Sequence, residues 1–552
     1  LPVIVGNSNS TLRILGRGTA ELKVASPNFS GKVTIRGAQL TLSGSGRLNN
    51  AQSFAIENGG TLFLDNLATA QADRIGDFAQ ISLNAGTLHL RGRSAGSIAE
   101  QFGWVVIENG ANTLQLTHEA GAGDFTALRM IAFQALSGTF NFAGNRRFGT
   151  NSDLNSVRLS FNPTFSPDIS IGEVLLQATV NGEDWATTTQ SSDGNVYFVA
   201  FEDYYTGSLY PWDVSPSDHA LVDGYTESIS IGQPLQIASL KLANGGSLAV
   251  WGSDVVERNF RGILTTGNWD NRIGGIGPFN FEYAHIYSPS LSFEGWTRLA
   301  TSRLIKTGPG TLRFATVVNS QYHQANSLTI YQGKVAVESG KLLSRNIVVG
   351  DRAGTDILEL PENHLNPIEG LGIAEEPDPR LYLTLRGPTS GDPDSGEADA
   401  AILRFGGDTR QDVYEFRVEG RGTIDFVGGT QLRPNAFFIE EFFLANDATL
   451  FIRNWEDGAD LLLVRHSAAN IARIDAAFLS RIYFEHYGSP GAVWEYWSDE
   501  YWQIKPFPEP TTYGAIFGVI GLGVFTWRRR RRASRSATDV AARTLRQNRN
   551  SH

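Results

Sequence analysis

The chain of 552 residues contains no cysteine, which excludes disulfide scaffolds, Cys-ligated zinc, iron–sulfur clusters and thiol nucleophiles. Methionine occurs once, as Met130, and the chain opens at Leu1. A longer primary translation product is therefore expected, with any signal peptide outside this sequence. Catalytic frames are also missing. Gly31-Lys32, Gly333-Lys334 and Gly340-Lys341 are not followed by the Ser or Thr of a phosphate loop. His118-Glu119 has no second histidine of a zinc-binding H-E-x-x-H helix. The Asn-Thr-Asp, Asp-Asp and Gly-His-Gly signatures of pectin-degrading β-helix hydrolases are absent. Gly92-Arg93-Ser94-Ala95-Gly96 matches the G-x-S-x-G nucleophile elbow, but Val105-Val106-Ile107 follows too soon for the helix that elbow requires. No catalytic, cofactor-binding or metal-ligating residue is expected.

Glycine is abundant, at 59 residues, and 41% of the chain is hydrophobic with 11% aromatic, enough for an ordered core. The net charge of −11 is unevenly spread: residues 528–552 hold nine arginines and one acid, so this tail is +8 and the remainder is −19. An acidic body repels phosphate backbones, which argues against nucleic acid as a partner.

A repeat organises the first 150 residues. Thr61-Leu62-Phe63-Leu64, Thr87-Leu88-His89-Leu90, Thr113-Leu114-Gln115-Leu116 and Thr139-Phe140-Asn141-Phe142 begin 26 residues apart. Each tetrad alternates apolar with variable residues, the pattern of a strand with one buried face. The residue before each threonine, Gly60, Gly86, Asn112 or Gly138, is of a type that tolerates positive φ. A second strand precedes three of the tetrads, as in Phe54-Ala55-Ile56, Ile81-Ser82-Leu83 and Val105-Val106-Ile107. Such a unit cannot bury its apolar face alone, so the period predicts stacked coils, a β-solenoid, with Leu62, Leu64, Leu88, Leu90, Leu114, Leu116, Phe140 and Phe142 inward. Independent hairpins and a leucine-rich repeat fit less well, the latter because its L-x-x-L-x-L frame is missing.

Strand–glycine–strand patterns return at Leu240–Val250 and at Lys306-Thr307-Gly308-Pro309-Gly310-Thr311-Leu312, followed by Gln332-Gly333-Lys334-Val335. The stretch Leu304–Val337 resembles the autotransporter-associated β-strand repeat. That resemblance implies an all-β, right-handed parallel β-helix of the kind found in surface proteins. Residues 374–399 combine acids with Pro377, Pro379, Pro388 and Pro393 and are expected to form a solvated loop. Calcium is not expected there, and Gly274-Gly275-Ile276-Gly277 departs from a calcium-binding nonapeptide at Pro278. The rings of Trp494, Tyr496, Trp497, Tyr501 and Trp502 suit either a sugar-stacking platform or, preferred here, a cover over the solenoid's end.

The C-terminus carries the most specific signal. Pro508-Glu509-Pro510 precedes an uncharged run from Tyr513 to Trp527, then Arg528, Arg529, Arg530, Arg531 and Arg532. Fifteen residues make about 22 Å of helix, a marginal membrane span, and the arginines should stay cytoplasmic. This tripartite order resembles the PEP-CTERM sorting signal, although the tail 533–552 is longer than usual. The resemblance implies recognition by an exosortase in the inner membrane of a Gram-negative bacterium. Cleavage near Pro508–Pro510 and delivery of the body to the cell surface or extracellular matrix would follow.

The expected organisation is solenoid repeats over 1–150, an irregular β segment over 151–236, and solenoid with the autotransporter-associated repeat over 237–370. An acidic loop over 371–400, a β segment and cap over 401–505, the sorting signal over 506–532 with its membrane helix at 513–527, and a basic tail over 533–552 complete it. The expected function is a non-enzymatic structural or adhesive surface protein with extracellular polysaccharide as a partner. The alternative is a polysaccharide-active β-helix enzyme, a lyase or glycosidase, recognisable by two carboxylates about 5–10 Å apart in a groove beside exposed aromatics.

Overall fold

The computed structural model describes residues 1–119, 124–149, 155–165, 171–192, 194–211, 213–231, 234–252, 258–315, 322–339, 341–373, 376–388, 400–487 and 491–507. Pro508, Glu509, Pro510, the run 513–527 and the five arginines lie outside them, as does the acidic stretch 389–399. Among the described residues no helix is long and apolar enough to cross a membrane.

Alternation makes strands, and parallel stacking makes the core. Thr61–Asp65 and Thr87–Arg91 bury every second side chain. Leu62 pairs with Leu88 and Leu88 with Leu114, while Leu64, Leu90 and Leu116 form the next column. A second stack aligns Phe54 with Ile81 and Ile81 with Val105. All the tetrad leucines and phenylalanines expected inside are buried, each contributing roughly 1.5–3 kcal/mol. The protein is thus an all-β parallel solenoid of about 16 turns.

Coil length varies more than the 26-residue step indicates. Thr61 aligns backward with Gln39, and Gln39 with Thr19, so two shorter coils precede the visible repeat. In the other direction Thr139 aligns with Ala111 and Asn141 with Thr113. The last step is therefore two residues longer in register. A slip of two keeps every side chain on its face, so Phe140 and Phe142 still point inward. The expected role of the residue before each threonine is corrected. Positive φ falls one residue earlier at Gly59 and Ala85, and two residues earlier at Gly110. Gly86 is needed instead because a Cβ there would lie 2.4 Å from the Ile56 carbonyl oxygen of the preceding coil.

The expected boundary at 150–151 falls outside the described residues. Asn155–Phe165 and Val174–Val180 extend the two stacks, and the antiparallel strands Asp184–Gln190 and Val196–Ala200 then join them into one sheet. That hairpin closes the end of the solenoid, where unpaired edges would otherwise face solvent.

A second solenoid with its own core starts at His219–Asp223. Its coils have three sides, named here by position. Face A contains Leu240–Ala243, Gly262–Thr265 and Tyr283–Ile286; face B contains Thr226–Ile231, Ser247–Gly252 and Ser290–Phe293. Face C contains Leu235–Ile237, Arg258–Phe260 and the second half of Asn271–Asn280. Gly275 and Gly277, with φ of 111° and 108°, bend that last strand from face B to face C. Of the expected loop 371–400, the described residues 371–373 and 376–388 include strands. Ile368–Ile373 and Glu376–Arg380 form an antiparallel pair, and Tyr382–Arg386 is a core strand of face A.

The two solenoids lie side by side and run in opposite directions. Gly59 meets Ala353, and Asn109 meets Tyr331. Further along, Thr139 meets Thr307, Thr179 meets Tyr287, and Asp184 pairs with Lys241. Residue numbers rise on one side as they fall on the other. The chain is a hairpin of two solenoids, with face A of the second against the first.

The expected aromatic cover is corrected in part. Ala492–Tyr496 and Tyr501–Pro506 form an antiparallel hairpin that pairs with the edge strand Asp460–Arg465. Trp494 packs against Trp502 and His466 stacks on Trp502. The core itself is closed by two short helices, Ala468–Arg473 and Ala476–Leu479, through Ile474 and Phe478. Their N-caps, Ser467 and Asp475, accept the Asn470 and Phe478 amides at 3.2 and 2.7 Å.

Candidate functional site: a charged groove and a buried seam cluster

A groove of about 850 Å³ opens on face B, lined in part by Glu338, Glu359, Arg404, Asp425, Arg453 and His486. Its charges follow from the register. One outward column reads Arg313, Ala336, Glu359, Arg404, Asp425, Arg453 on consecutive coils. Strands about 4.8 Å apart place these groups next to one another, and directly opposed like charges destabilise a sheet. Signs alternate from Glu359 onward. Arg404 donates to Asp425 at 2.8 Å and to Glu359 at 3.4 Å. Lys334 lies 2.7 Å from Glu359, and Asn454 donates to Asp425 at 2.6 Å. Burial works against the Arg404 cation, but hydrogen bonds and charge from Asp425 and Glu359 hold it above its ordinary value.

Glu359 and Asp425 stand two coils apart, about 9.6 Å along the stack, within reach of an acid–base pair. The Arg404 guanidinium is hydrogen-bonded to both carboxylates. Such an arrangement ties coils together.

A second cluster, not indicated by the sequence reading, sits at the seam between solenoids. Asp351 accepts the Ala111 amide of the first solenoid at 2.7 Å and the Ala353 amide at 3.0 Å. Burial pushes its carboxyl up to about 7, with those amides opposing the shift. Asp356 is raised well above the carboxylate range by burial and then by Asp351, with Lys306 opposing. Lys306 is lowered to about 7 by burial. Its ammonium group donates to the Gln332 carbonyl at 2.7 Å and to that of Gly308. That geometry explains Lys306-Thr307-Gly308-Pro309-Gly310 physically: the lysine turns inward and ties one coil's turn to the next. His285 and His323 are lowered to about 3 by burial.

The other sequence candidates are structural. Residues 92–97 connect Thr87–Arg91 directly to Ile98–Asn109, so no helix follows Ser94. His89 stacks on Phe63 with centroids 4.5 Å apart and meets the Thr117 hydroxyl at 2.8 Å. Burial first, then Arg91, lowers it to about 4. Among the described residues, no group of three His, Asp or Glu is placed to hold a metal ion.

Comparison of the chain with family models, with curated proteins and with solved structures returns no match.

Proposed function

We propose that the protein is a non-enzymatic structural or adhesive component of the cell surface or extracellular matrix, exported as an exosortase substrate. The observation that carries this reading is the order Pro508-Glu509-Pro510, uncharged run 513–527, Arg528–Arg532, placed after an extended solenoid body. On this reading 513–527 is a transient membrane helix, the solenoid is right-handed, and the mature body loses its +8 tail. The ion-paired ladder around Arg404 supports a structural role over glycoside hydrolysis, because Arg404 binds both Glu359 and Asp425. Mass spectrometry of the surface fraction tests export: the body should appear without peptides from 533–552, and Pro508→Ala with Pro510→Ala should retain it in the inner membrane. Intact tail peptides on exported protein would reject processing. Incubation with extracellular polysaccharides should release no new reducing ends or unsaturated products.

A further inference from the structure

Face B changes character along its length. Over its first coils the outward column is Thr226, Ser247, Arg272 and the next is Ser228, Ala249, Gly274. Arg272 is the one charge among these six, and it is 3.6 Å from Glu294. Large aromatic side chains stand at both margins instead. Tyr225 immediately precedes the strand at Thr226, and Trp269 leans over Gly245 of the preceding coil, 3.3 Å from where a Cβ would be. At the opposite margin Trp251 follows Val250, the partner of Gly275, and Trp296 is the partner of Ile276. These four are 43%, 68%, 54% and 47% exposed respectively. Solvated aromatics on this scale are costly surface unless something covers them.

The spacing selects the occupant. Trp251 and Trp296 are two coils apart, about 9.6 Å along the stack, close to the length of one disaccharide unit in an extended β-1,4-linked chain. Aromatic faces take the apolar face of a pyranose ring, and polar groups beside them take its hydroxyls. Asp223 and Asp270 flank the Tyr225–Trp269 margin, where they already accept from Asn244 at 2.8 Å and from Ser290 at 2.7 Å. Their charge, with a body of −19, disfavours a uronate or sulfated chain on this face.

The geometry points to this end of face B as a binding site for an uncharged β-1,4-linked glycan, running along the solenoid axis from coil to coil and stacked on Trp251 and Trp296. The inference rests on the adhesive reading of the protein and gives it a ligand class.

Affinity electrophoresis of the full chain through native gels containing hydroxyethylcellulose, a neutral β-1,4-glucan, or alginate, an acidic glycan, tests it. Hydroxyethylcellulose should retard the protein and alginate should not. Trp251→Ala with Trp296→Ala should weaken that retardation on the order of tenfold, and Tyr225→Ala with Trp269→Ala, at the other margin, should weaken it less. Trp104→Ala, an exposed tryptophan of the first solenoid, should leave it unchanged. Circular dichroism of each variant should match the parent, since the replaced rings are at the surface. Absence of retardation, retardation of the Trp251→Ala, Trp296→Ala variant equal to that of the parent, or equal retardation by alginate would each overturn the assignment. Surface export measured by mass spectrometry is independent of this result. An exported protein that ignores glucan loses only the ligand, whereas a protein retained in the cell loses the adhesive reading itself.

Discussion

Replacing Asp351 with asparagine isolates the proton balance of the seam between the solenoids. Asp351 is buried, holds the Ala111 amide across the seam, and is raised from 3.8 to about 7, chiefly by burial. For a carboxyl raised on folding, the sign is fixed. Below about pH 4 it is protonated in both states. Between about 4 and 7 the unfolded chain has released a proton that the folded protein retains, so stability falls as pH rises. Above about 7 it is ionised in both states and the penalty is complete. A rise of about three units corresponds to roughly 4 kcal/mol. Lys306, lowered to about 7 by burial, has the opposite sign and acts above that pH, where stability climbs. His285 and His323, lowered to about 3, add a gain between about 3 and 6.5 that is common to both proteins. Arg386 and Tyr331 also interact with Asp351 and remain in the variant, whereas Asp356 loses the part of its rise that Asp351 causes, which moves the gap the same way. Urea unfolding of wild type and Asp351→Asn from pH 4 to 7.5 therefore separates the terms. The asparagine carries a fixed cost, because its amide group meets the N–H of Ala111 or of Ala353. The gap between the proteins should move by up to about 4 kcal/mol toward the variant as pH rises. Parallel curves over that range would refute the account of the seam.

Three further outcomes follow from the coils. Leu88→Ala opens a cavity between Leu62 and Leu114 and should cost about 2–5 kcal/mol in denaturant unfolding. Gly310→Ala places a Cβ 2.0 Å from the Ser288 carbonyl oxygen, so it should destabilise by at least about 2 kcal/mol, and a neutral result would contradict the close stacking of those turns. Asn112→Ala removes the acceptor of the Gly86 amide and the donor to the Asn109, Gly110 and Thr139 carbonyls; a loss of about 2–4 kcal/mol is expected, with faster amide exchange at Gly86.

The period-two alternation at Leu62, Leu64, Leu88 and Leu90 was legible because each strand reports its own buried face. Coil length was not legible beyond residues 61–113, because corners accept insertions of any size that preserve face parity, and the alignment of Asn141 with Thr113 shows one. The hairpin of solenoids left no trace in the pattern. Its seam is made by side chains such as Asn109, Asp351 and Tyr331, each 220 or more residues from its partner, and no local rule pairs them. The charge column of face B was hidden for a related reason. Glu359, Arg404 and Asp425 fall next to one another only once coils of unequal length are in register.

Register also explains why face B divides as it does. A column of side chains on a parallel stack repeats every coil at about 4.8 Å, so any residue type placed there interacts first with itself. Charge is tolerated best where it alternates along the column, and from Glu359 to Arg453 it does. Small uncharged residues need no alternation, and from Ser228 through Ala249 to Gly274 they leave the sheet bare. Each solution has a consequence for partners. An ion-paired column spends its polar groups within the protein, which stiffens the coils and offers little to a ligand. A bare column costs stability in unmade contacts but admits a chain of repeating units laid parallel to the axis, with Trp251 and Trp296 matching every second coil. The same stacking that builds the core therefore sets the interval at which face B can meet a polymer.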